Sequence, residues 1–149
     1  DKKRLFLLFI DVKKAYDRVW RDALWVKLAR FGIRGKMLRV LREYYSRVEC
    51  KVRVGSETSQ PFNINIGVKQ GCVLSPILFD IFIDDLITRV KEKCSFTFKG
   101  VNGVSSLFFA DDGLFIAENE EQLFAIASIV SKWMDDWGLE VGHSKSGIM

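Results

Sequence analysis

The amino-acid sequence predicts an α+β fold, an antiparallel sheet with helices packed on one face. Three observations predict it. An almost wholly apolar run from Leu5 to Ile10 stops at Asp11. A second apolar segment doubles back at Ala110-Asp111-Asp112-Gly113. Between and after them, apolar residues recur with helical spacing. The resulting order is strand, helices, hairpin, helix, hairpin, helix, strand.

The first strand covers Lys3 to Ile10. It is apolar on both faces, which predicts a central position, and Asp11 ends it because Asp is a poor strand former. Leu24, Trp25, Leu28 and Phe31 place a helix over Asp22 to Phe31, with Gly32 as its stop. Met37, Leu38, Leu41 and Tyr45 repeat the pattern in a second helix. Cys50 to Val54 alternates, Gly55 turns the chain, and Phe62, Ile64 and Ile66 alternate in return, which predicts a hairpin. Gly67 to Gly71 is a loop. Ser75 is the expected N-cap of a helix that begins with Pro76 and carries Ile77, Leu78, Ile81, Phe82 and Leu86. Phe96 to Phe98 is a short strand. Leu107 to Phe109 and Leu114 to Ile116 are strands joined through an Asp-Gly turn. Asn119 caps a helix that reaches about Trp137 and ends at Gly138. Leu139 to Val141 is the last full strand, and Gly147-Ile148-Met149 is strand-like.

The 149 residues fit one domain, with no repeat or low-complexity tract. No apolar run reaches the roughly 20 residues of a bilayer span. The first apolar run is also too short for a signal peptide. A net charge of +4 permits a polyanionic partner without requiring one. Cys50, Cys72 and Cys94 lie far apart and His143 is the lone histidine, which excludes a structural zinc site and points to a reducing compartment. The expected setting is intracellular, nucleus or cytoplasm, away from a membrane. The charged start without an initiator Met suggests a piece of a longer polypeptide.

The chemistry concentrates in three carboxylates. Asp111 and Asp112 tip an apolar hairpin; the turn needs only one of them, and adjacent carboxylates repel. A hard divalent cation such as magnesium would offset that repulsion. Asp11 ends a buried strand, where a charge is costly unless paired or metal-bound. A central strand and a hairpin lying side by side would bring all three to one sheet edge. Asp84-Asp85 and Asp135-Asp136 are helical and read as solvated surface.

Four blocks then resemble reverse transcriptases, most closely those of non-LTR (LINE-type) retrotransposons. Leu8 to Asp17 (LFIDVKKAYD) is similar to motif A, Gly67 to Pro76 (GVKQGCVLSP) to motif B, and Phe109 to Asp112 (FADD) to motif C. Trp137 to Glu140 (WGLE), with Ser144-Lys145-Ser146, is similar to motif D. The resemblance implies a polymerase palm over residues 1–149 with part of the fingers-proximal region, most of the fingers and the thumb being absent.

The resemblance also implies roles. Asp11 and Asp111 would be the principal metal ligands, with the Val12 carbonyl assisting and Asp112 as a third, less direct carboxylate. Two Mg2+ ions would be held, with Mn2+ able to substitute. Tyr16 would be the steric gate against a ribose 2′-hydroxyl; its plainer reading is a core aromatic. Gln70 and Gly71 would line the nucleotide pocket, although Gly71 alone reads as a turn glycine. Lys145 would protonate the leaving pyrophosphate, while Lys13 and Lys14 would reach phosphates or solvate the strand end. Gly142-His143 departs from the usual Asn-containing turn before that lysine.

The implied activity is RNA-directed DNA polymerisation: template-directed nucleotidyl transfer from deoxynucleoside triphosphates, on an RNA or DNA template with primer. The alternative is a non-catalytic, palm-like scaffold that binds RNA or protein. A two-metal nuclease would want more acidic ligands or a histidine base than this chain supplies.

Overall fold

The computed structural model describes residues 4–94, 96–98 and 101–149. Its centre is an antiparallel four-stranded sheet in the order β10-β1-β9-β8, built from β1 (Phe6–Asp11), β8 (Ser106–Phe109), β9 (Asp112–Ala117) and β10 (Gly147–Ile148). The first strand is therefore interior to the sheet, as its apolar run predicts; Lys3 lies outside the described residues. The sheet is nonetheless covered on one side only. Leu8, Ile10, Phe115 and Ala117 alternate inward and are buried, whereas Phe9 on the other face is 39% exposed. Period-two alternation thus operates even in a strand that is wholly apolar as far as Ile10.

The buried face packs on α4 (Ser75–Lys93) and α5 (Glu120–Asp136). Phe79, Phe82 and Leu86 from α4 and Ile126, Val130 and Trp133 from α5 fill the core. Asn119 caps α5 as expected, its Oδ1 accepting from the Gln122 N–H at 2.8 Å. Leu74, not Ser75, is the N-cap of α4. Ser75 is buried inside the first turn, and its hydroxyl donates back to the Lys69 carbonyl, pinning the preceding loop.

The segment between the first strand and α4 holds α1 (Ala15–Arg18), α2 (Arg21–Arg30) and α3 (Gly35–Ser46). The short α1 has no sequence periodicity to announce it. The expected hairpin over residues 50–66 is two separate ladders, β2 (Glu49–Cys50) with β5 (Phe62–Asn63) and β3 (Arg53–Val54) with β4 (Glu57–Thr58). Val52, Val54, Phe62 and Ile66 are exposed and Ile64 is half-buried, so no buried face enforces a longer register. β6 (Phe96–Phe98) has a partner the sequence reading lacked, β7 (Val101–Val104). Leu139 to Val141 is not a strand; it contributes a single bridge, Val141 to Val12. All three cysteines are free, with Cys94 buried. No described helix is long and apolar enough to cross a membrane.

Two buried cations hold this framework, and both escaped the sequence reading. The guanidinium of Arg21 meets four backbone carbonyls: Gly67 at 2.7 Å, Ile64 at 2.6 Å, and Tyr45 and Ile66 each at 3.1 Å. It ties the start of α2 to the end of α3 and to the strand entering the 67–71 loop. Lys27 is caged by the rings of Phe82, Trp133 and Trp137, with its ammonium 2.6 Å from both the Phe82 carbonyl and Asp85 Oδ1. Asp85 also accepts from Trp133 Nε1 at 3.1 Å. The Asp84-Asp85 pair is therefore only half solvated: Asp84 is exposed, while Asp85 neutralises a buried lysine.

Arg21→Met should leave four carbonyls without their donor and cost on the order of 3 kcal/mol or more, read as a lowered urea midpoint; Arg21→Lys should restore little of it, since one ammonium cannot span the same fork. Asp85→Ala should lower thermal stability well beyond Asp84→Ala, and equal losses would show that the Lys27 contact contributes nothing.

Candidate active site

The register of β1 against β9 assembles the site. Ile10 pairs with Gly113 and Asp11 with Asp112, directly across the ladder. Opposed residues on adjacent strands point to the same face, so these carboxylates share the outer side of the sheet. The hairpin is tighter than the Asp-Gly signal suggests. Phe109 pairs with Asp112, leaving Ala110 and Asp111 as the loop. Ala110 takes the left-handed conformation, φ 55°, at a cost of roughly 1–2 kcal/mol. Gly113 lies in the strand and is glycine for a different reason: a Cβ there would sit 2.8 Å from the Phe108 ring. Asp111 is thereby held at the tip, and its carbonyl accepts from the Val12 N–H at 3.4 Å.

On its other flank Asp11 meets the segment that follows α5. The Lys13 N–H donates to the Glu140 carbonyl at 2.8 Å, and the Gly142 N–H to the Asp11 carbonyl at 2.7 Å. Ser146 Oγ accepts from the Asp11 N–H at 3.0 Å and donates to the Gly142 carbonyl at 3.1 Å. A Cβ on Gly142 would overlap Asp11 Oδ2. The glycine that departs from the family's usual turn is thus the residue that makes room for the carboxylate. Lys145, whose side chain is 74% exposed, points its ammonium to Asp11 Oδ1 at 3.4 Å. Asp11, Val12, Asp111, Gly142 and Lys145 line one open cavity of about 470 Å³. Glu140 bridges Lys13 at 3.3 Å and Arg18 at 2.6 Å, and these cations hold its carboxyl below the ordinary value, Lys13 most strongly. His143 is exposed.

The second half of the site is α1 against the 67–71 loop. The Gly67 N–H donates to the Val19 carbonyl at 2.8 Å and the Val68 N–H to the Tyr16 carbonyl at 2.7 Å. Gly67, at φ +81°, lies so close that a Cβ would meet the Asp17 carbonyl oxygen at 2.7 Å. Gln70 Nε2 donates to Asp17 Oδ1 at 2.9 Å. Tyr16 is half-buried, with its ring 5.3 Å from that of Phe79. Burial, then the charges of Asp111 and Asp80, push its phenol up, so it stays neutral. The effect of Asp111 on Tyr16 places the two halves within electrostatic reach. Gly71, at φ +75°, has open space where a Cβ would project, so glycine there serves the backbone.

Asp11, Val12, Asp111, Asp112 and Lys145 thus lie at the sheet edge, and Tyr16, Gln70 and Gly71 lie beside α1, while Lys13 and Lys14 are exposed at the strand end. Gly142, Ser146, Asp17 and Gly67 were missed, because their roles lie in contacts with distant residues and no local pattern encodes them. The donor set at the sheet edge is hard oxygen, which suits a divalent cation of the magnesium type. Among the described residues, however, no three acidic, histidine or cysteine side chains are gathered into a metal-ready cluster. The backbone brings the carboxylate-bearing residues side by side, and Asp11 pairs with the Lys145 ammonium.

Comparison with known proteins gives the family and the fold. The family model for reverse transcriptase (RNA-dependent DNA polymerase) matches residues 1–149. A Pol polyprotein of the type-1 retrotransposable element R2 from Nasonia vitripennis is 34% identical over 143 residues, covering 93% of this chain and 14% of that protein. The polymerase of the mobile element jockey from Drosophila melanogaster is 25% identical over 148 residues, covering 92% of this chain and 15% of its own length. The chain thus spans a small part of these relatives. Among solved structures, apo telomerase from Candida tropicalis superposes with a TM-score of 0.76 at 18% identity, covering all of this chain and 29% of that one. This likeness is one of fold, a polymerase palm. The relatives are non-LTR retrotransposon polymerases, and the chain belongs to the reverse transcriptase (RNA-dependent DNA polymerase) family.

Proposed function

We propose that this chain is the palm of an RNA-directed DNA polymerase of a retroelement, performing template-directed nucleotidyl transfer within a longer polypeptide that supplies fingers and thumb. The observation that carries this is the direct pairing of Asp11 with Asp112, with Asp111 in the adjoining loop at the mouth of the cavity it shares with Asp11. The family generally uses divalent metals. Bound there, two magnesium ions would activate the primer 3′-hydroxyl and neutralise the leaving pyrophosphate. Manganese would serve in their place.

The chain's own residues do the rest. Asp11 and Asp111 offer carboxylate oxygens from two adjoining backbone segments, with the Val12 carbonyl beside them. Asp112 adds negative charge on the same face. Tyr16, braced on Phe79, presents a ring against the sugar and excludes a 2′-hydroxyl. Gln70, tied to α1 through Asp17, and Gly71 line the nucleotide pocket and contact the template-side base. Lys145 carries the proton that the pyrophosphate takes as it departs. In the free chain that lysine pairs with Asp11.

A scaffold reading, in which the palm binds RNA or protein without catalysis, draws support from the ungathered carboxylate tips. Magnesium titration of the 149-residue chain followed by primer extension separates the two. Weak binding and little extension are expected of the chain alone, and full activity of the intact polymerase.

In that intact polymerase, Asp111→Ala should abolish primer extension; retained extension refutes the metal-ligand role. Tyr16→Val should raise ribonucleotide incorporation relative to deoxynucleotide, and an unchanged sugar preference removes the gate assignment. Gly142→Ala should push Asp11 aside and slow extension about 100-fold, the penalty expected of an ångström-scale misplacement, while the circular dichroism spectrum stays unchanged.

A further inference from the structure

The charge of this chain is unevenly distributed. Residues 30–53 hold eight basic and two acidic side chains, a net +6, whereas the whole chain carries +4, so all remaining residues sum to −2. Most of this excess sits on and around α3. Only Tyr45 of its twelve residues is buried; Leu38 and Leu41 are partly covered, while Met37 and Val40 are 65% and 58% exposed.

Helix stability does not account for this pattern. α3 has no acidic residue in its first turn, where the macrodipole favours one, and none of its basic residues lies in its last turn. Lys36 occupies the unfavourable first turn instead. Lys36, Arg39 and Arg42 are spaced three apart, so like charges stack along one ridge and repel. Glu43 is the one acidic residue of the helix, and Arg47 holds it. This arrangement works slightly against its own helix, and an external anion would offset it.

The groove beside this ridge shows where such an anion would lie. Lys36, Arg39, Val40, Glu43, Tyr44, Arg47 and Lys69 line an open trough of about 800 Å³, its one carboxylate, Glu43, being paired with Arg47. Lys69 comes from the 67–71 loop and sets its ammonium 3.8 Å from the Tyr44 ring centroid, so the trough runs from α3 to the residue preceding Gln70. The span from Lys36 to Arg47 is roughly 16 Å at helical rise, long enough for several nucleotides.

We propose that the outer face of α3, with Lys69, carries the phosphate backbone of the uncopied single strand of template and delivers it to the Gln70–Gly71 loop. Identifying that strand as template rests on the polymerase reading; binding of single-stranded nucleic acid does not. Charge complementarity fixes the class of partner, and the open, narrow trough fits a flexible single strand.

The test is fluorescence anisotropy of the 149-residue chain with a labelled uridine oligonucleotide of roughly 12 nucleotides, without metal or nucleotide, so that failure of the carboxylate site cannot affect it. Lys36→Glu/Arg39→Glu should weaken binding at least tenfold and flatten the log K against log salt slope by about 1.4, the contribution of two single-strand phosphate contacts. Lys91→Glu/Lys132→Glu, an equal change of net charge at exposed lysines elsewhere, should change binding less than twofold. Lys36→Gln/Arg39→Gln serves if the reversal variant loses its circular dichroism signal, with an expected weakening of at least threefold. Equal losses in the two sets, no loss in the α3 set, or tighter binding of polyglutamate or anionic vesicles than of RNA would each overturn the proposal. In the intact polymerase, the α3 variant should lose the advantage of templates with long single-stranded overhangs. Normal RNA binding with no overhang effect would remove the template assignment alone.

Discussion

The register between β1 and β9 is the constraint from which the rest of the molecule follows. A slip of one residue would carry Asp11 to the helix-covered face and Ile10 to solvent. Two features prevent it. The inward residues Leu8 and Phe115 are buried against α4 and α5, which rewards only this alignment. The Phe108 ring lies over Gly113, the one inward position of β9 that can accept it. The charged edge and the greasy core are therefore specified by the same hydrogen-bond ladder, and the placement of Asp112 opposite Asp11 is a by-product of packing several residues away.

A second layer of organisation holds backbone with backbone. α1 and the 67–71 loop approach so closely that Gly67 has no room for a side chain, and Arg21 collects the carbonyls on the far side of the same loop. The segment after α5 embraces Asp11 in a similar way, through Gly142 and Ser146. In both places a glycine permits an approach and a hydrogen-bonding side chain fixes it. Residues far apart in sequence, such as 17 and 70 or 11 and 145, become neighbours without the aid of a long element.

Much of this was legible beforehand, for physical reasons that differ by element. The strands and long helices announce themselves because burial on one face imposes a period. The carboxylates stand out because charge beside apolar strands is costly. What stayed hidden depends on distant partners. Arg21 and Lys27 look like ordinary surface cations of an amphipathic helix until the carbonyls and rings that enclose them are in place. Asp85 looks solvated for the same reason. The Asp-Gly pair pointed to the right hairpin although the glycine serves the Phe108 ring and Ala110 makes the turn. The alternation over residues 50–66 suggested a longer hairpin than forms, because its apolar side chains find nothing to cover them.

The absence of a carboxylate among the hydrogen-bond acceptors of Arg21 sets how the molecule meets changes of medium. Carbonyl oxygens do not titrate in water, and a guanidinium remains protonated throughout the working range even when burial lowers its pKa. Mobile ions screen such ion–dipole contacts far less than exposed ion pairs. The 67–71 loop is thus fastened by a clasp that neither acid nor brine loosens. The Lys145–Asp11 contact, with its lysine largely in solvent, is open to screening by salt. Ionic strength accordingly acts on the charged edge of the sheet, while the 67–71 loop keeps its shape.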